Sequence, residues 1–216
     1  MAEQRLPVAR LDHLVVAAPT LDAGAAWVRA RLGAECRPGG RHAGIGTHNR
    51  LLRLGADAYL EVISPDPAAP PPDRPRWFGL DALAPDESPR LAAWVARSDD
   101  LRSAVAASPV PLGPVTAMSR GDLHWRLTIP TDGSVPLDGA GPLLIQWDSA
   151  DHPAARLPDD GYSLVRLLLR HPDPDRVRGL LAAVGFIGPI DVAAGDRPSV
   201  AAEILTPAGS RRLLAA

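Results

Sequence analysis

Apolar residues alternate or recur with a helical period through the first third of the chain, which predicts a strand, a helix and three further strands. Residues 11–17 form an apolar run typical of a strand. Thr20 is suited to cap a helix whose apolar stripe spans residues 21–32, and Gly33 is suited to end it. A short strand near residues 35–37, a glycine-rich turn, and strands at 48–54 and 58–63 complete a βαβββ pattern over residues 10–65.

The same order returns twice more, in residues 90–148 and 161–215. The second copy has strands at 91–97, 115–118, 124–129 and 143–147 and a short helix capped by Ser98 or Asp99. The third has strands at 162–169, 190–193, 200–205 and 211–214, and a helix with Asp173 as its cap and Pro174 at its first position. Proline-rich breaks at 64–75 and 148–161 separate the copies. Repetition at this spacing predicts a single α+β domain, residues 1–216, built from βαβββ modules.

Composition and charge narrow the functional classes. The formal net charge is −2, all 23 basic residues are arginine, and no run of one sign suggests a nucleic-acid or membrane partner. The single cysteine, Cys36, and the lack of a long apolar segment favour a cytoplasmic protein. The sequence leaves open whether the chain is a monomer or a homodimer. Motifs of phosphate loops, nucleophile elbows, Cys-x-x-Cys pairs and dinucleotide sites are absent.

One acidic residue and one histidine stand within apolar strands. Glu61 lies in Tyr-Leu-Glu-Val-Ile, where a buried carboxylate needs a partner, a ligand or a position at a sheet edge. Strand alternation places His13 on one face with Leu11 and Val15, and Asp12 on the other face. A lone histidine in such a strand is more often a core residue than a functional one. The pairing of His13 with Glu61 makes a structural and a functional role equally well supported.

Several short motifs together resemble the vicinal oxygen chelate superfamily, which includes glyoxalases, bleomycin-resistance proteins and dioxygenases. They are Leu11-Asp12-His13, Thr20-Leu21-Asp22, Leu32-Gly33 and Tyr59-Leu60-Glu61-Val62-Ile63. The glyoxalase-like subgroup is indicated by Gly39-Gly40-Arg41-His42, Gly46-Thr47-His48-Asn49, Trp147 and His152-Pro153. The resemblance covers most of the chain and is strongest over residues 10–65 and 120–155.

The resemblance implies that two modules curve around a cup holding a divalent metal, with ligands from the first and fourth strand of each module. His13 and Glu61 occupy those positions in the first module and would be both catalytic and metal-binding. An imidazole and a carboxylate suit Zn, Fe, Mn or Ni. In the second module, Ala93 and Gln146 stand where ligands are expected. We therefore expect metal to be bound weakly or not at all, and the sequence does not decide which two modules form the cup.

Seven further residues are predicted to contact a small-molecule ligand, mainly because of the subgroup resemblance: His42, His48, Asn49, Arg120, Trp125, Trp147 and His152. For the histidines beside the glycine-rich turn, substrate contact is favoured over metal ligation. For each tryptophan, a plain core role is at least as plausible. Two functions remain open. One is a metal-assisted isomerase, lyase or dioxygenase, and the other is a non-enzymatic protein that sequesters a drug or metabolite.

Overall fold

A computed structural model describes residues 7–149 and 151–215 and has twelve strands and four α-helices in that part of the chain. The strands are β1 (Ala9–Ala17), β2 (Arg37–His42), β3 (Thr47–Arg53), β4 (Tyr59–Pro65), β5 (Arg90–Ser98), β6 (Val115–Arg120), β7 (Leu123–Thr128), β8 (Leu143–Trp147), β9 (Ser163–His171), β10 (Ile190–Ala194), β11 (Ser199–Leu205) and β12 (Arg211–Ala215). The helices are α1 (Leu21–Leu32), α2 (Leu101–Ala107), α3 (Pro153–Arg156) and α4 (Pro174–Ala183). The predicted α+β class is confirmed.

The first two modules share one curved, nearly closed mixed sheet with the strand order β2-β3-β4-β1-β5-β8-β7-β6. Within each module the first strand pairs in parallel with the fourth, β1 with β4 and β5 with β8. The two modules join where β1 and β5 run antiparallel. The third module forms its own four-stranded sheet, β10-β9-β11-β12, so it contributes no strand to the curved sheet.

The predicted helix ends agree with the structure in two of three modules. Thr20 accepts a hydrogen bond from the Ala23 amide at the start of α1, and Gly33 ends the helix with a φ of 71°. Asp173 caps α4, with Pro174 in its first turn. The expectation that Ser98 or Asp99 caps α2 is wrong, since Asp100 accepts the bond from the Ser103 amide.

Each face of the curved sheet packs against a different environment. The outer face contributes Leu14 and Trp94 to a large core that also contains α1, α2 and the third module, represented by Leu167 and Leu180. The inner face carries Val15 and a smaller core around a cavity. The helices and the third module therefore cover the convex side, and the concave side is left to form the cup. No helix in the described ranges is long and apolar enough to cross a membrane.

A β-bulge in β1 breaks the expected alternation of side chains. Leu11 pairs with Ala96 and His13 pairs with Val95, so Asp12 is an extra residue in β1. Leu11 packs with the outer core, while His13 lies on the inner side with Val15. The prediction that Leu11 shares the face of His13, and that Asp12 lies opposite, is therefore wrong. The bulge gives the cup two successive polar side chains where regular pleating would give one.

Two segments contain more regular structure than predicted. The second strand extends from Arg37 to His42, whereas the sequence predicted a short strand near residues 35–37. The second break, residues 148–161, contains the one-turn helix α3, and the His152 side chain accepts from the Ala154 amide at its start. A four-residue helix is too short to show periodicity, so the sequence pattern gave no sign of it.

Candidate active site

The concave face of the curved sheet surrounds a cavity of about 30 Å³. Water fits there with the side chains as they stand, and a small metabolite needs some of these side chains to move. Strands of both modules supply the walls, and a 3₁₀ segment at Trp77–Ala82 covers one side. The lining residues are His13, His42, Asn49, Tyr59, Glu61, Trp77, Phe78, Arg120, Trp125, Leu127, Ile145 and Trp147.

Seven of the nine residues proposed from the sequence line this cavity, and His48 and His152 do not. His48 lies on the opposite face of β3 from Asn49, in a separate groove with Pro19 and Leu21. Its Nδ1 atom is 4.0 Å from a carboxylate oxygen of Asp66. The expectation that His48 shares the cup with His13 and Glu61 is wrong, because neighbouring residues of a strand point to opposite faces.

Asp12 is the most deeply buried charged group beside the cavity, with no exposed surface. Its Oδ1 accepts from His13 Nδ1 at 2.7 Å, and its Oδ2 accepts from Trp147 Nε1 and His152 Nε2, both at 2.9 Å. Burial by itself raises the pKa of this carboxyl group, but the hydrogen bonds from His13 and His152 outweigh it and hold the pKa well below its usual value. Asp12 is therefore a carboxylate that fixes two cavity side chains, His13 and Trp147, and also binds His152 behind them. Sequence alternation missed it because of the bulge.

These contacts define the tautomers of two histidines. His152 Nδ1 accepts from the Ala154 amide at 3.3 Å, so its Nε2 carries the proton donated to Asp12. His13 donates through Nδ1 to the same carboxylate, which leaves the lone pair of its Nε2 directed away from Asp12. That Nε2 lies 3.6 Å from Glu61 Oε2. His152 thus acts on the cup through Asp12, one layer behind the lining.

Tyr59 completes the environment of His13. Its ring stacks on the imidazole with centroids 4.6 Å apart and an angle of 16° between the planes. Burial, with smaller contributions from the charges of Asp12 and Glu61, raises the pKa of the phenol well above its usual value. Tyr59 therefore stays neutral and holds the ring plane of His13. The sequence pattern placed Tyr59 on the face of Glu61 but gave no reason to assign it a function.

Glu61 is held by Asn49 on the neighbouring strand. Asn49 Nδ2 donates to Glu61 Oε1 at 2.5 Å, and Asn49 Oδ1 accepts from the Gly40 amide at 2.7 Å. The amide orientation of Asn49 is therefore fixed at both ends. A Cβ atom at Gly39 would lie 2.1 Å from Asn49 Oδ1, which explains a glycine at that place in β2. One Glu61 oxygen is engaged with Asn49, and the other faces His13.

Arg120 reaches across from β6 and brings a positive charge to the cavity. Its Nη1 is 3.4 Å from His42 Nε2 and 3.4 Å from Asn49 Oδ1. No carboxylate in the described ranges forms an ion pair with it. Burial, then the charge of Arg120, lowers the pKa of His42 to about 4, although Glu61 acts in the opposite direction. His42 is therefore neutral at physiological pH, with its Nδ1 3.1 Å from Thr47 Oγ1.

Aromatic rings form the wall opposite Glu61. Trp125 and Trp147 lie with centroids 5.4 Å apart, and Trp77 meets His42 edge to face at 5.1 Å. The indole N–H of Trp77 is buried and has no hydrogen-bond partner. Such a donor costs free energy unless a ligand or water accepts from it. Trp77 and Phe78 follow directly after the proline-rich break, where no periodicity indicated a functional segment.

Comparison with known proteins places this geometry in a family. A sequence profile of the glyoxalase-like domain matches residues 11–185, most of the chain. The chain belongs to the glyoxalase-like domain family of the vicinal oxygen chelate superfamily. None of the curated proteins matches it.

Solved structures resemble this glyoxalase-like chain in fold. The crystal structure of a hypothetical protein from Staphylococcus aureus aligns with a TM-score of 0.61 at 12% identity, covering 88% of this chain and 87% of that chain. Methylmalonyl-CoA epimerase from Mycobacterium tuberculosis aligns at 0.44 and 20% identity over 67% of this chain and 91% of its own. The epimerase from Streptomyces coelicolor aligns at 0.43 and 19% identity over 66% of this chain and 98% of its own. At these identities the likeness concerns the fold alone.

The metal site implied by the superfamily does not fit the residues of this glyoxalase-like chain. His13 and Glu61 face each other, but the second module offers Ala93, Ile145 and Trp147 on the inner face. Gln146, in the position of an expected ligand, accepts from the Leu101 amide at 2.9 Å instead. Within the described ranges no group of three or more histidine, cysteine or acidic side chains is arranged to hold an ion. Two ligand side chains are fewer than the three that catalytic metal sites generally use.

Proposed function

We propose that this chain is an isomerase or lyase that moves a proton on a small substrate carrying a carbonyl or carboxylate group. One observation carries the proposal. His13 is bound to the buried carboxylate of Asp12 at Nδ1, and its Nε2 faces Glu61 Oε2 at 3.6 Å on the wall of the cup. A histidine oriented by a carboxylate is the arrangement that prepares an imidazole to accept a proton.

The two facing groups support a proton cycle that closes on itself. His13 Nε2 takes a proton from the carbon next to the carbonyl group, and the electron pair of the broken C–H bond moves to the carbonyl oxygen. The imidazolium of His13 passes this proton to the Glu61 carboxylate across the 3.6 Å contact, and Glu61 then returns a proton to carbon, which restores both groups. Asp12 is a positioning residue in this scheme, because it keeps the tautomer of His13 and stabilises the imidazolium.

Arg120 and Trp77 would bind the oxygen on which negative charge develops. Arg120 has no ion pair within the described ranges, and the Trp77 N–H has no partner. A guanidinium and an indole donor in a cavity with little water stabilise an enolate more than a neutral carbonyl. The tryptophan wall would hold the apolar part of the substrate.

Hydrogen–deuterium exchange tests this proposal without knowledge of the natural substrate. A panel of small 2-oxo and 3-oxo acids is incubated in D₂O, and loss of the C–H signal is followed by NMR. Wild-type protein is expected to accelerate exchange in at least one member, and His13→Gln and Glu61→Gln to abolish that acceleration. His48→Gln is the matched control, because His48 lies outside the cavity, and it is expected to exchange like wild type. Exchange that persists in His13→Gln would refute the assigned base.

A second function, a protein that only binds and sequesters a small molecule, is favoured by the aromatic wall of Trp77, Trp125 and Trp147. Stacked or edge-packed rings bind planar ligands without any chemistry. The two functions differ in whether wild type exchanges a panel member and Glu61→Gln loses that exchange. In a binding protein this variant keeps its ligand-dependent change in tryptophan fluorescence and no panel member exchanges. In the proposed enzyme, binding survives and exchange is lost.

A further inference from the structure

Two arginines lie directly opposite each other where β1 and β5 join. Arg10 and Arg97 are register partners in this antiparallel pair. Neither forms a hydrogen bond or an ion pair with another residue of ranges 7–149 and 151–215. Like charges in directly opposed positions destabilise a sheet. Arg120, the arginine that lines the cup, contacts His42 and Asn49. Arg10 and Arg97 have no such contacts within the part of the chain that the structure describes, and two unpaired positive charges side by side indicate a binding site for an external anion.

Both arginines line a second cavity that shares a wall with the cup. This cavity has a volume of about 250 Å³ and is lined by Val8, Arg10, Arg97, Ser98, Asp99, Gln146 and Trp147. Trp147 also lines the cup. Arg97 pairs in register with Ile145, which belongs to the inner face, so strand alternation places both arginines on the cup side of the sheet. The positive charge of Arg97 also reaches Tyr59, where it acts against the larger effect of burial on the pKa of the phenol.

The remaining polar groups of this second cavity are compatible with an anion. Gln146 Oε1 accepts from the Leu101 amide, which fixes the side-chain amide and leaves its NH₂ group without an acceptor among the residues that the structure describes. The carboxylate of Asp99, the acidic residue of the lining, accepts from the Val8 amide at 2.8 Å. Two guanidinium groups and one amide donor suit the oxygens of a phosphate or carboxylate group.

We propose that Arg10, Arg97 and Gln146 form a second subsite, which binds a distal phosphate or carboxylate group of the molecule whose reacting end lies in the cup. The proposal deepens the proposed function and rests on it for the chemistry at His13 and Glu61. The substrate class is then a small oxo acid with a second anionic group beyond Trp147. A free inorganic anion has the same chemistry, so the test must separate the two sources.

Thermal unfolding and isothermal titration with inorganic phosphate, diphosphate and phosphonoacetate test the subsite at constant ionic strength. Phosphonoacetate carries a carboxylate and a phosphonate in one molecule. The variants are Arg10→Gln, Arg97→Gln and their combination. Arg197→Gln is the matched control, since Arg197 is an exposed arginine in the β10–β11 connection, away from both cavities. No step of this experiment depends on turnover.

Wild type is expected to bind diphosphate, and each single substitution to weaken binding about tenfold, as the loss of one charge-assisted contact implies. In chloride, each single variant is expected to unfold about 1–2 °C above wild type, because the repulsion between the arginines is relieved. Arg197→Gln is expected to match wild type in binding. Diphosphate that shifts neither wild type nor variants, or a double variant that binds as wild type does, overturns the subsite.

Phosphonoacetate separates the two sources of the anion. If one molecule spans both cavities, its affinity falls in Arg97→Gln and also in Arg120→Gln, whereas phosphate affinity falls only in Arg97→Gln. If Arg120→Gln leaves phosphonoacetate binding unchanged, the assignment to a distal substrate group is overturned. Proton exchange measured on the His13 and Glu61 variants is independent of these titrations, so failure of the subsite is distinguishable from failure of the proposed reaction.

Discussion

Asp12→Asn is the substitution that most directly tests the buried array behind the cup. The side chain keeps its shape but loses its charge, and one of its two acceptor oxygens becomes an NH₂ donor. If the oxygen remains with Trp147 and His152, the new NH₂ group faces His13 Nδ1. His13 can then only accept at Nδ1, so its proton moves to Nε2. The imidazole is left in the tautomer that cannot take a proton from a substrate.

The expected cost in stability follows from the three hydrogen bonds of the Asp12 carboxylate. Bonds to a charged group contribute about 1.5–3 kcal/mol each, against about 0.5–1.5 kcal/mol for neutral ones. Replacing three charge-assisted bonds by neutral ones therefore costs on the order of 3 kcal/mol. In a chain of this size that corresponds to a fall in Tm of roughly 6–12 °C. Exchange activity is expected to fall by about 10⁴-fold, the effect known for the same change in a Ser-His-Asp triad.

Urea unfolding of wild type and Asp12→Asn between pH 3 and pH 8 measures the cost and its origin. The folded pKa of Asp12 lies below its value in the unfolded chain, so its stabilisation is complete above about pH 4 and is lost as the pH falls further. The two proteins should therefore differ most above pH 5 and converge below pH 4. Asp22→Asn is the control, because Asp22 pairs with Arg50 at the surface and should cost less than about 1 kcal/mol. Equal stability of wild type and Asp12→Asn at pH 7 would show that Asp12 is not the charged acceptor described here.

Three further outcomes are expected. Glu61→Gln should lose proton exchange while its Tm stays within a few degrees of wild type, because glutamine can still accept from Asn49. A large fall in Tm, measured by calorimetry, would show that Glu61 has a structural role instead. His42 has a folded pKa of about 4, below its value in the unfolded chain. The free energy of unfolding of wild type should therefore fall by at most about 3 kcal/mol as the pH drops from about 6.5 to 4. Urea unfolding of His42→Gln should not show this dependence on pH. A Cβ atom at Gly40 would lie 2.5 Å from Arg120 Cδ, so Gly40→Ala should weaken phosphonoacetate binding, measured by calorimetric titration. Gly44→Ala, with open space around it, should not.

The sequence predicted the parts of the site that depend on regular periodicity. Module repetition and strand alternation placed His13 and Glu61 on the inner face of the first module, and the structure brings both to one cavity. Alternation also contained the information that His48 and Asn49 point to opposite faces of β3. The prediction used the subgroup resemblance for both residues instead, and His48 was wrong for that reason.

The features that the sequence did not predict depend on irregular backbone. The bulge at Asp12 is a register shift between β1 and β5, and no residue type in Leu11-Asp12-His13 requires it. Trp77 and Phe78 reach the cup because the segment after the prolines folds back over it, which is a tertiary effect. Glycine is depleted in strands, so Gly39 and Gly40 gave no indication that β2 continues through them.

The two modules contribute different kinds of side chain to the cup. This difference accounts for the departure from the metal ligands that the superfamily implies. The first module supplies Asp12, His13 and Glu61, a set whose members already satisfy one another by hydrogen bonds and a close contact. The second module supplies an apolar and aromatic wall and the cation Arg120. A positive guanidinium can stabilise a negative oxygen, which is the task that a metal ion performs as a Lewis acid. In the proposed reaction, Arg120 on one side of the cup and the pair His13 and Glu61 on the other would supply the charges that enolate chemistry needs.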